Sequence, residues 1–167
     1  PGEVARPQGA PNRNLRPNED ANEQTRPRKL EGSKASYSLV DIRDGQNVID
    51  WFPNDHPEMP DVIKHGPSAL GEKKRGCGSC HLPNGKGRPE NAPVAGLPVP
   101  YIMRQLQDFR SGKRKSADPR KPNTNTMIEL AKNLTDEELK AAAEYFAALK
   151  PKRISCSISP FLWGARS

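Results

Sequence analysis

The chain has 167 residues, with 27 Lys and Arg against 20 Asp and Glu and a formal net charge of +7. Hydrophobic residues make up 33% of it and aromatic residues 5%, so a core built from side chains alone is poorly supplied and a metal or a large cofactor is expected to complete it. No apolar run is long enough to span a bilayer and no segment reads as a signal peptide. The positive charge comes without the motifs of a nucleic-acid binder, and it points instead to acidic partners.

Residues 1–35 are predicted to be a disordered tail or linker. Pro1, Pro7, Pro11, Pro17 and Pro27 interrupt them, and no aromatic residue precedes Tyr37. Such a segment buries too little apolar surface to offset its ordering entropy, and its removal is expected to leave the fold intact. A domain over 36–152 follows. Ser38 and Asp41 form a weak capping box for a helix over about 39–43, with a hairpin at Asp44-Gly45 as the alternative. Trp51 and Phe52 are packing residues expected to lie over a cofactor edge. Pro60 suits the first position of a short helix and Gly66 its end.

Cys77, Cys80 and His81 stand together in "RGCGSCHLPNGKG". The glycine- and proline-rich residues 82–100 are expected to form an ordered loop. Ile102, Leu106 and Phe109 then recur on one face of a helix that Gly112 ends. Residues 113–126 read as a polar loop, in which Lys113, Arg114, Lys115, Arg120 and Lys121 make a basic cluster suited to acidic partners. In the last helix Thr135 and Glu138 complete a capping box and Leu134 and Leu139 a hydrophobic staple. Leu139, Ala142, Ala143, Phe146 and Leu149 form its apolar face, and Pro151 stops it. Residues 153–167 fit nothing before them, and their Cys156 is unmatched. No strand pattern is present, so the fold class is all-α with long loops.

Three chemistries use a Cys-x-x-Cys-His pattern. A structural zinc site needs about four ligands from paired motifs, and neither Cys156, His56 nor His65 builds a second knuckle. A thioredoxin-like disulfide needs a βαβ unit, which this chain lacks. Covalent haem attachment needs two thiols for the porphyrin vinyl groups and an adjacent histidine for the iron. It also needs a second axial ligand downstream. Met127 stands 46 residues after His81, before the strongest helix, and its thioether suits that role. Met103 and Met59 are read as packing.

The motifs "CGSCH", "NAPVAGLPVPYIMRQLQDFRSGKR" and "NTMIELAKNLTDEELKAAAEYFAALK", in this order and spacing, resemble a class I c-type cytochrome, in particular the small bacterial periplasmic modules. The resemblance covers about residues 50–150. It implies one haem c, covalent through Cys77 and Cys80 and axially ligated by His81 and Met127. It implies that the Pro93 carbonyl fixes the His81 ring, that Gly96 and Tyr101 line the pocket, and that Asn125 orients the Met127 sulfur. The final helix should cross the first. The chain departs from the pattern where Gly66, Pro67 and Gly71 interrupt the approach to Cys77. "DWFPNDHPEMP" resembles a subgroup whose members often carry a second haem module, so a monohaem or truncated relative is implied. The expected function is electron transfer between redox proteins in an extracytoplasmic compartment, not enzymatic catalysis. The alternative is a haem-bearing subunit or domain of a larger dehydrogenase or oxidase, and a haem sensor or enzyme would need an open sixth position.

Overall fold

A computed structural model describes residues 14–151 of the chain. The expectations for 1–13 and 153–167, including Cys156, lie outside the described residues. The order is α1 (Ala21–Thr25), α2 (Leu39–Ile42), α3 (Asp61–Lys64), a 3-10 segment (Ser68–Lys73), α4 (Gly78–His81), α5 (Val99–Arg110), α6 (Pro122–Asn133) and α7 (Asp136–Ala148). Among the described residues the β pairing is an isolated antiparallel bridge between Arg28 and Tyr37. The all-α reading with long loops holds.

Within the stretch expected to be a structureless tail, residues 14–35 carry order. Asp20 caps α1, accepting from the Asn22 N–H at 2.8 Å. Gln24 is 1% exposed. Its side-chain amide donates to the carbonyls of Arg16 and Glu19 at 2.9 and 3.0 Å, and its Oε1 accepts from the Arg16 N–H at 2.7 Å and from Arg43 at 3.1 Å. Arg43, the C-cap of α2, also pairs with Glu19 at 2.7 Å. Ser33 donates to the Trp51 carbonyl at 2.6 Å, and the Tyr37 ring meets the Trp51 ring edge-on at 4.9 Å. Polar satisfaction, rather than an apolar stripe, holds this segment, so hydrophobic periodicity does not report it.

The capping box of Ser38 and Asp41 is present in α2. Pro60 caps α3 and Gly66 follows its end, one position from the expected register. Val62 and Ile63 of α3 are buried against α7, which also packs on α5. The α7 face forms as its periodicity predicts: Leu139, Ala142, Ala143, Phe146 and Leu149 are all buried with Ile102 and Leu134. Two adjacent alanines leave room for close approach of the neighbouring helices. Thr135 and Glu138 make the capping box. Arg110 joins three helices, donating from α5 to the carbonyls of Ala131 and Leu134 at 3.1 and 2.8 Å and pairing with Asp136 at 2.8 Å.

One boundary differs from the sequence reading. The loop after Gly112 ends at Lys121, and α6 begins at Pro122. Proline at the first helical position is pre-set for the helix, while Asn123, Thr124, Asn125 and Thr126 have weak helix propensity and disguise it.

Two expectations follow. Gln24→Ala should destabilise the protein by about 1–3 kcal/mol in denaturant unfolding, because its partners lose their hydrogen bonds inside the protein; an unchanged midpoint would show that residues 14–35 contribute nothing. Glu138 accepts from the Thr135 N–H at 2.9 Å and from the Ser68 N–H at 2.8 Å. Burial would raise its pKa, but these hydrogen bonds outweigh it and hold the carboxyl below its ordinary value. Its contribution is therefore complete above the unfolded-state pKa and is lost as pH falls through the lower folded-state value. Melting of Glu138→Gln should accordingly show a shallower acid limb than the unsubstituted protein.

Candidate functional site

The Cys-x-x-Cys-His motif forms a one-turn helix. Cys77 is the N-cap of α4, and the His81 N–H donates to the Cys77 carbonyl at 3.0 Å. The Cys77 N–H donates to Val62 O at 3.3 Å and the Gly76 N–H to Gly45 O at 2.8 Å, docking the turn on α3 and on the loop after α2. Helical spacing puts Cys77, Cys80 and His81 on one face. All three line a cavity of about 350 Å³, within the range of about 300–1,000 Å³ common for cofactor pockets. Its walls are largely apolar: Val94, Leu97, Ile102, Leu106, Phe109, Leu130, Leu134 and Phe146.

No disulfide joins Cys77 to Cys80. Burial pushes the Cys77 thiol up to about 12, so it is held protonated, the opposite of the stabilised thiolate of a redox-active pair. Burial also lowers the His81 pKa, against an opposing hydrogen bond to Ala92. The ring is therefore neutral. Its Nδ1 lies 2.9 Å from the Ala92 carbonyl, which only accepts, so Nδ1 carries the proton and Nε2 keeps the lone pair for a metal. The carbonyl implied for this role was that of Pro93; it belongs to the preceding residue. Phe146 meets the His81 ring edge-on at a centroid distance of 5.9 Å.

The chain reverses immediately after His81. Leu82 has φ 63° and ψ 153°, and it is the one non-glycine residue with positive φ among the described residues. Pro83 disfavours the helical ψ for the residue before it, and φ is positive where the chain reverses at the end of α4. This backbone region is nearly reserved for glycine and costs about 1–3 kcal/mol. The returning loop is closed by the Gly87 N–H to His81 O at 2.8 Å and the Arg88 N–H to Cys80 O at 3.0 Å.

Met127 lines the same cavity as His81. It stands in α6 rather than in a loop. Met103 does not line the cavity and packs against the hydrophobic core, as does Met59. Tyr101 lines the cavity and Gly96 does not. The Gly96 N–H donates to Phe146 O at 2.9 Å, and a Cβ there would lie 2.8 Å from Pro151 Cδ, so this glycine fits the loop onto the end of α7. Asn125 also lies outside the cavity wall; its side chain donates to Pro119 O at 2.9 Å and closes the turn before α6. Trp51 lines a separate cleft, and Phe52 lines neither cavity. Of the basic cluster, Arg114 lies over the Phe109 ring at 4.7 Å, bonds Gln105 and joins the cavity wall. Arg120 is paired with Asp118 at 3.0 Å.

A neutral histidine with a free Nε2, two thiols on the same face and an apolar slot beside them define a class: the chain carries the module of a class I c-type cytochrome. Residues 68–150, just under half of the chain, match the family model described as Cytochrome c, and these residues form a class I c-type cytochrome module. It is 33% identical over 89 residues to cytochrome c4 of Azotobacter vinelandii, covering 52% of this chain and 42% of that protein. Against cytochrome c4 of Pseudomonas aeruginosa the identity is 34% over 87 residues, 51% of this chain and 39% of that one. The thiosulfate dehydrogenase electron acceptor of Stutzerimonas stutzeri is 38% identical over 77 residues, 46% of this chain and 33% of the other. The chain thus spans less than half the length of these relatives. Haem electron transfer and covalently bound haem c belong to the family whose model these residues match.

Position 87 offers a test of the His81 support. A Cβ on Gly87, whose φ is +75°, would lie 2.5 Å from Asn91 O and 2.8 Å from Ala92 O. Gly87→Ala should therefore displace the carbonyl that holds the His81 ring, lowering stability by at least about 1 kcal/mol and shifting the haem absorption bands of the reduced protein. Unchanged bands would show that the Ala92 contact does not orient the His81 ring.

Proposed function

We propose that residues 36–152 carry one haem c, joined through thioethers to Cys77 and Cys80, with His81 Nε2 and the Met127 sulfur as the groups that would hold its iron. The protein then passes single electrons between redox proteins in a periplasmic or otherwise extracytoplasmic space. The observation that carries this reading is the convergence of both thiols, the imidazole and the Met127 residue on one apolar cavity. The haem supplies the reversible one-electron change. The chain supplies the rest: His81 is kept neutral and oriented, and Met127 offers a soft, uncharged donor that raises the potential. Leu106, Phe109, Leu130 and Phe146 exclude water. With His81 and Met127 both committed to the iron, no position would remain open for a substrate, which favours a carrier over an enzyme.

Docking rests on Lys113 and Lys115, together with Lys121, whose charge also acts on Asp118, and it suits partners with acidic surfaces. A second reading is a haem-bearing subunit of a larger oxidoreductase. Similarity to a protein named as the electron acceptor of thiosulfate dehydrogenase favours it, and isolation of the native complex would decide between the two.

Acid–organic extraction tests the attachment: the colour should stay with the polypeptide, and release of haem would overturn it. Met127→Ala should abolish the sulfur-to-iron charge-transfer band of the oxidised protein, admit carbon monoxide or cyanide, and lower the potential. Met103→Leu should change stability by less than about 1.5 kcal/mol and leave ligation alone. The reverse pattern would reassign the ligand; insensitivity to both would favour the sensor or enzyme reading.

A further inference from the structure

A buried polar network lies behind the haem-binding motif and has no part in binding the cofactor. Tyr145 of α7 is buried. Its hydroxyl lies 2.7 Å from the Pro83 carbonyl and 3.1 Å from His56 Nδ1. The carbonyl only accepts, so the tyrosine donates its single proton to Pro83. It must then accept from His56, whose Nδ1 also lies 2.9 Å from Pro57 O. The other ring nitrogen, Nε2, is buried and lies 3.1 Å from Asp50 Oδ2, an electrostatic contact outside hydrogen-bond alignment. The His56 side chain is 4% exposed. Burial and the Asp50 charge hold the Tyr145 proton in place, well above the ordinary phenol value. His56 and Tyr145 thus form a hydrogen-bonded strut with Asp50 beside it, and its far end bonds the carbonyl directly after strained Leu82, two residues from His81.

We propose that Tyr145 is a positioning residue for the axial histidine: the strut from Asp50 and His56 through its hydroxyl to Pro83 holds Leu82 in its strained conformation and thereby sets the orientation of His81. The proposal rests on the reading of His81 as the iron ligand. Local hydrogen bonds close the turn from within, at Gly85 N–H to Leu82 O and Gly87 N–H to His81 O. Tyr145 adds an anchor from a different part of the fold, on the helix whose Phe146 touches the His81 ring. Without the hydroxyl, Leu82 can relax toward negative φ, and the segment linking His81 to the returning loop moves with it. With glycine at 82 the observed conformation carries no strain, so the strut becomes dispensable.

The experiment is a double-mutant cycle on the haem-loaded protein with Tyr145→Phe, which keeps the ring and removes the hydroxyl, and Leu82→Gly. Three quantities are read: midpoint potential, the hyperfine-shifted haem methyl resonances of the oxidised protein, and melting temperature. Tyr145→Phe alone should shift the potential and the methyl pattern and lower the melting temperature by on the order of 4 °C. Leu82→Gly alone should keep the native pattern, and the double variant should return to it. A purely structural tyrosine would lower the melting temperature equally in both backgrounds and leave the potential and methyl pattern unmoved, which would overturn the proposal. If the purified chain holds no haem, the ligand reading itself fails, and the cycle in melting temperature still tests the strut: equal losses in the two backgrounds would reject it.

Discussion

Burial of the apolar face of α7 is the constraint on which the rest of the molecule depends. Leu139, Ala142, Ala143, Phe146 and Leu149 pack on α3 and α5, and that packing fixes where every other group of the helix stands. Phe146 is set against the His81 ring, Tyr145 beneath the turn that follows it, and the Phe146 carbonyl receives the Gly96 N–H. The start of the same helix holds the 3-10 segment through Glu138 and Ser68. One hydrophobic face therefore places the loops on both sides of the haem motif.

The site follows a division of labour. Apolar side chains from α5, α6 and α7 make a slot that excludes water, and a neutral imidazole is held by a backbone carbonyl within it. Leu82 bears strain beside that imidazole, a cost that persists only because surrounding hydrogen bonds over-determine the turn. The chain is modest in apolar content, and its polar networks make up part of the difference. Gln24, Arg110 and the Asp50–His56–Tyr145 group each join segments far apart in sequence.

Much of this was legible from the residues. The capping boxes at Ser38 and Thr135, the apolar periodicity of α5 and α7, and the end of α3 at Gly66 are local signals, and each formed as read. The spacing of Cys77, Cys80 and His81 declared its chemistry because attachment depends on neighbours in the chain. Met127, singled out by its position after the motif, lines the same cavity, although its helix was hidden by four polar residues of weak propensity. The order in residues 14–35 was not legible, because side-chain amide and guanidinium hydrogen bonds have no sequence period.

The sequence by itself determined the helical class, the cofactor motif and which residues could serve as ligands, because these rest on short-range spacing and propensity. Only the tertiary structure decided which groups surround them. The carbonyl on His81 is that of Ala92, not Pro93; Gly96 serves helix packing, and Asn125 serves a turn. A backbone carbonyl is the same at every residue, so no letter of the sequence marks the one that will face an imidazole. That choice belongs to the path of the chain, and the path is set by the strained reversal at Leu82 and the helix packed behind it.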